Sequence, residues 1–258
     1  MSKYSVFLVA LLLSPASFAL STSFELPDDI QFTGSVVTPA PTWKWRIHST
    51  ASGWATNWTM KKSQGEAQSD GATRFVYDNA DKEVLRNAFI QGIMTHPSSV
   101  GRSDIVPTVS LEVEGGSLVL NGNTVEQVPV VIPAIGRTRS GAMVHGKLSF
   151  TVESAYAVFY KKLSDPVKYY SESYINSVGW AANSILIENK PSNYDGLRAE
   201  HIRRNVDEDI TAVLRGVSVP DAYDVMGGFT SHLSHFEGVW REIPHTWTAT
   251  LTANVRIN

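Results

Sequence analysis

The 258-residue chain carries 22 Lys and Arg against 25 Asp and Glu, a formal charge of −3, and contains no cysteine. That balance offers no basic patch for nucleic acid and no like-charge tail. The missing thiols exclude a disulfide scaffold, a lipid-anchored cysteine and thiol chemistry, so a core drawn from 43% hydrophobic residues and backbone pairing must supply the stability.

Residues 1–19, MSKYSVFLVALLLSPASFA, combine one basic residue (Lys3), an apolar run from Val6 to Leu13, a break at Pro15 and a small-x-small end at Ser17-Phe18-Ala19. This pattern predicts a secretory signal peptide. A membrane span needs ~20 apolar residues, and this run has eight.

The next stretch, 20–37, reads LSTSFELPDDIQFTGSVV. Its apolar positions Leu20, Phe24, Leu26, Ile30, Phe32 and Val36, together with Gly34, all carry even numbers. That is the period of a strand with one apolar face. Thr38-Pro39-Ala40-Pro41 then favours an extended connector, because proline fixes φ and restricts the residue before it. Beyond it, Trp43, Trp45 and Ile47 share one face of a first core strand.

Most of the remaining chain reads as β. Val106–Val113 and Ser117–Leu120 are short strands, with Asn121-Gly122 as a hairpin signal before Val128–Pro133. In Lys147–Phe159, Leu148, Phe150 and Val152 hold strand register. Ala155, Ala157 and Phe159 then fall on odd positions, which predicts a face change and a bulge near Ser154. Lys61–Gly71 is a polar loop. The clearer helical pattern lies between Asp195 and Gly216, where Ile202, Val206, Ile210, Val213 and Leu214 recur at three- and four-residue steps. A weaker one lies within Ser171–Ile187. The C-terminal run HTWTATLTANVRIN alternates Trp247, Ala249, Leu251, Ala253, Val255 and Ile257 with polar residues, and reads as one strand reaching the last residue. Such a strand has to be paired on at least one side.

Candidate chemistry is sparse. His232-x-x-His235 with Glu237 and His245 has the residue types of a zinc set. It lacks the helical HExxH spacing, however, and Gly227-Gly228 argues against a helix, so no metal or cofactor is expected. There is no GxSxG elbow and no phosphate-cradling glycine loop. Asp207, Glu208 and Asp209 read as a solvated helix face, and no enzyme activity is expected. Asn57-Trp58-Thr59 fits a glycosylation sequon. The seven tryptophans and nine tyrosines are expected mainly in the core, with a sugar-stacking face among them as a candidate.

Four features in chain order carry a family resemblance: Phe32-x-Gly34-Ser35-Val36, the Trp43-x-Trp45 strand after a short connector, Lys147–Phe159 with its Ser154-Ala155-Tyr156-Ala157 centre, and the alternating C-terminal strand. Together they resemble the large fimbrial subunits of the K-eighty-eight (F-four) type, the kappa branch of chaperone–usher fimbriae. The resemblance implies a mainly β fold, an immunoglobulin-like (pilin) β-sandwich lacking one strand, with an inserted helical subregion for which 161–212 is the candidate. It also implies a division into a signal peptide (1–19), a donor-strand extension (20–37) and a pilin-like domain (38–258).

In such a subunit Ile30, Phe32, Gly34 and Val36 would enter the groove of a neighbouring copy. Trp247, Leu251, Val255 and Ile257 would border the groove of this one. The partners implied are a periplasmic chaperone, an outer-membrane usher, neighbouring subunits and, for adhesive subunits, a host glycoconjugate; the location implied is the cell-surface fimbria. Histidines near the C-terminus depart from the major-subunit pattern, so major and minor subunits both stay open. The alternative from the residues alone is a free-standing secreted carbohydrate-binding sandwich that pairs its own terminal strands.

Overall fold

Two long strands set the architecture: β8 (Met143–Lys162, 20 residues) and β10 (Ala222–Trp240, 19 residues). They run antiparallel along nearly their whole length. The computed structural model describes residues 42–56, 58–77, 88–122, 127–174, 176–189 and 209–257, all within one unit, Pro39–Asn258. Its other elements are β1 (Trp43–Ile47), α1 (Ala51–Trp54), β2 (Glu66–Ala67), β3 (Thr73–Val76), β4 (Ala88–Met94), β5 (Pro107–Val113), β6 (Gly116–Val119), β7 (Val128–Arg137), β9 (Asp165–Ser173), α2 (Ser177–Glu188), α3 (Ile210–Leu214), β11 (Thr246–Ala249) and β12 (Ala253–Ile257). The protein is therefore mainly β, as its alternation predicts.

The larger sheet follows the order β1-β4-β10-β8-β7-β11, every neighbour antiparallel, with β9 added beside β8 and the β2–β3 pair beside β10. A second sheet has the order β12-β5-β6. One apolar core joins them, with Val109 and Leu111 of β5 packed among Ile132, Val158 and Phe229 of the large sheet. Two buried aromatic donors tie the sheets further. Trp43 Nε1 donates to the Ile105 carbonyl at 2.8 Å, and the Tyr156 hydroxyl donates to that of Pro107 at 2.7 Å. Each would cost about 1–3 kcal/mol if its partner were lost.

Glycine stands directly opposite tryptophan three times among the described residues, Gly136 facing Trp247 across β7–β11. Gly92 faces Trp45 across β1–β4, and Gly146 faces Trp240 across β8–β10. A Cβ on Gly92 would lie 2.4 Å from the Trp45 ring, and one on Gly146 2.3 Å from that of Trp240. The missing side chain is what lets each indole lie flat on the neighbouring strand.

Several sequence expectations are corrected. Strand β8 keeps continuous register through Ser154; the irregularities lie in its partner, between Tyr223 and Met226 and between Ser234 and Glu237. There Asp224 and His235 take φ values of 50° and 55°. Burial changes along β8, not the face. Up to Val152 the fully buried positions are even-numbered, whereas Ser154 to Tyr160 are all buried, because α2 covers the odd face there. Val178, Ala182 and Leu186 pack on Ala155, Ala157 and Phe159.

The weaker helical pattern is thus a 12-residue helix, capped by Asn176, whose side-chain oxygen accepts from Gly179 N–H at 2.6 Å. The pattern between 195 and 216 contributes the five residues of α3 among the described ones. Asn121-Gly122 joins strands of different sheets, and Gly122 accepts from Tyr156 N–H. The hairpin in that region is β5–β6, turning through Gly115 at φ 89°. The expected polar loop 61–71 contains a short 3-10 turn and β2. The C-terminal alternation divides, β11 pairing with β7 in the large sheet and β12 with β5 in the small one.

His232 is 7% exposed, opposite Glu153 and Ala88, and neither ring nitrogen has a hydrogen-bond partner. Burial lowers its pKa, the Glu153 carboxylate opposes that, and His235 adds to it. The folded chain therefore resists a proton that the unfolded chain accepts. The contribution of this site is intact above the ordinary histidine value of about 6.5 and is lost as pH falls toward the lower folded value. Chemical denaturation should show His232→Gln losing less stability than the parent between neutral and mildly acidic pH. Phe159→Ala, which empties the space beneath α2, should cost about 3–5 kcal/mol by the same measurement.

Candidate functional site

The sheet's two outermost strands meet around a single opening. A cleft of about 1280 Å³ is lined by Ile47 of β1 on one side and by Thr246–Ala249 of β11, with Leu251, on the other. Since β1 and β11 end the six-strand path, the sheet curls until both its edges border the same space. Among the described residues β1 pairs only with β4, and β11 only with β7. Successive strands alternate in direction, so a strand paired with both edges would run antiparallel to one and parallel to the other.

The floor is core. It consists of Phe89 from β4, Leu233, Phe236 and Trp240 from β10, Leu148 and Phe150 from β8, and Ile132 from β7. Trp54 of α1 and Trp58 also line the cleft. The rings touch in a chain: Trp58 lies 4.7 Å from Phe236, 5.2 Å from Tyr77 and 5.9 Å from Trp247, centroid to centroid. Trp58 Nε1 donates to the Trp54 carbonyl, while the buried indole N–H of Trp54 has no partner. Burial pushes the Tyr77 hydroxyl pKa up, opposed by the Trp240 and Trp247 indoles. Lys62, Arg139 and His245 are the basic side chains of the lining, which also includes Thr56, Thr59, Thr246 and Thr248.

The C-terminal candidates separate here. Trp247 and Leu251 line the cleft, and with Ala249, Ala253 and Val255 they pack half-buried against the core. Val255 sits opposite Val109, and Ile257, 45% exposed, opposite Pro107; both belong to the small sheet. Ile30, Phe32, Gly34 and Val36 lie outside the described residues, as does Asn57. Of the acidic cluster, Asp209 is the N-cap of α3 and accepts from Thr211 N–H at 3.0 Å. Glu237 pairs with Arg74 at 2.7 Å, and among the described residues no three His, Asp or Glu side chains converge as a metal set.

Sequence reasoning missed the walls made by Trp54 and Trp58. The signal available was two tryptophans four residues apart in a segment with no strand period. It also missed Phe236, which the positive φ at His235 turns into the cleft floor. No protein-family model and no curated protein matches the chain.

An apolar, cation-margined cleft should bind an anionic naphthalene dye with enhanced fluorescence while near-ultraviolet circular dichroism stays native. Ala249→Trp, which places an indole in the opening, should abolish that enhancement. As a half-exposed substitution it should shift stability by no more than ~0.5 kcal/mol. Equal dye binding by both proteins would mean that the opening is not a binding surface.

Proposed function

We propose that this chain is a structural subunit of a bacterial surface fimbria that polymerises by strand donation. One observation carries the reading: an apolar cleft floored by core side chains and bordered by the two edges of the same sheet. An open edge is a template for pairing, and here two edges flank one apolar channel. Small-molecule pockets run to about 1,000 Å³. A cleft of about 1280 Å³, bordered by β11 and by the end of β1 at Ile47, suits an extended peptide better.

Residues 30–36 supply a peptide of the right kind. Ile30, Phe32 and Val36 fill apolar pockets at about 1.5–3 kcal/mol each, and Gly34 takes the closest approach of backbone to floor. The main chain adds a row of hydrogen bonds to the edges, as in β-augmentation, of which pilin donor-strand complementation is a known instance. Until a neighbour arrives the cleft needs a cover. A periplasmic chaperone fits that role, with an outer-membrane usher as the site of exchange and the signal peptide as the route out. The cleft supports strand donation; host-glycan binding has only the family resemblance behind it.

The chain from Leu20 should form multimers on size-exclusion chromatography with light scattering, and the chain from Thr38 should stay monomeric. Gly34→Leu and Ala249→Trp, on donor and acceptor sides, should each stop joining while the circular dichroism of the body stays unchanged. Gln31→Leu, on the outward face, should join normally. A monomer from Leu20 that binds carbohydrate would instead establish the free-standing domain.

A further inference from the structure

We infer that the cleft selects its donor by charge, and that the matching donor is residues 20–37 of a second copy of this same chain; the inference rests on the strand-donation reading. Charge is unevenly placed on this molecule. The chain has more acid than base, yet no residue lining the cleft is Asp or Glu, whereas Lys62, Arg139 and His245 are among them. The bordering strands repeat the asymmetry. Strand β1, whose Ile47 lines the cleft, carries Lys44 and Arg46 and no carboxylate, and β11 carries no charged residue. Segment 20–37 is the reverse, holding Glu25, Asp28 and Asp29 and no Lys, Arg or His.

Apolar pockets alone discriminate poorly, because any alternating strand of similar size can fill them. Charge at the margin discriminates during the encounter. Lys62 and Arg139 are exposed, so their field reaches incoming chain within a Debye length of about 8 Å at physiological salt. Exposed charges of this kind act mainly on association rate, raising it by ~10 to 10³. A donor with carboxylates beside its apolar run is therefore captured faster than a neutral or basic one of equal apolar fit. On a fibre surface crowded with other strands, that favours growth from identical copies.

The test uses the chain from Thr38, which carries no donor of its own to fill the cleft, and a fluorescein-labelled synthetic peptide of residues 20–37, with association followed by stopped-flow anisotropy at about 0.02 M and about 0.5 M salt. At low salt the peptide with Glu25→Gln, Asp28→Asn and Asp29→Asn should associate about tenfold more slowly than the native one, and at high salt the two should converge. A peptide with lysine at all three positions should be slowest on the parent chain. It should recover on the variant carrying Lys62→Glu and Arg139→Glu, whose fold is checked by circular dichroism. If the native and neutral peptides associate equally at low salt, charge selection is wrong and strand donation survives. If no peptide associates at any salt, strand donation itself fails and this inference with it. Should the doubly substituted chain not fold, the parent chain with the three peptides decides the question.

Discussion

A β-strand satisfies its backbone only when both of its sides find partners, and much of this molecule can be understood from where that requirement is left open. The large sheet curls around one apolar core, and its end strands β1 and β11 each pair on one side among the described residues. Between them lie aromatic and aliphatic side chains that belong to the core by packing and to the surface by access. Trp247, Ala249 and Leu251 are half-buried for that reason. They touch the core from below and have open space beside them.

The curl itself depends on the two long strands. β8 and β10 exchange neighbours along their length. Beside β8, β7 takes the first half and β9 the second; beside β10, β4 takes the first half and β3 the second. Register shifts with positive φ at Asp224 and His235 add local twist to β10 and turn Phe236 toward the cleft. The glycine–tryptophan pairs 92/45 and 146/240 let large rings lie against neighbouring backbone, which brings the indoles of Trp45 and Trp240 close to the strands they cover. Helix α2 seals the opposite face of the same strands through alanines and glycines. The cleft bordered by β1 and β11 therefore lies on one side of the spine, and a helical cover on the other.

The packed face and the open cleft are in this way separated in space. Phe159 and Met226 are buried beneath α2 against its Leu186 and are not among the cleft's lining residues, so the body can be firmly packed while one channel stays open. The positive margin of that channel sits on a chain that is net acidic, and under the proposed strand donation the residues that meet a donor first are ones that contribute little to the core.

Much of this was already written in local sequence. Alternation alone determined that the protein is mainly β and that Leu148 to Val152 form a core strand, because side-chain direction in a strand follows a period of two whatever the strand pairs with. Trp43 to Ile47 does form a strand, but at the sheet's edge, where Ile47 is 54% exposed. Pairing is a different matter, since it is decided between segments far apart in the chain. Nothing near Ser154 indicates that a helix covers it, and so an even burial of both faces looked like a bulge. Nothing within 246–257 indicates that its halves join different sheets. The weak apolar period of 177–188 reflects the alanines, glycine and Asn183 through which the helix meets its sheet, a contact visible only once both are placed. The cleft is the clearest case: its walls come from β1, α1 and β11 and its floor from four other strands. It exists because the sheet curls, and curvature is a property of the assembled fold that no single stretch of residues carries.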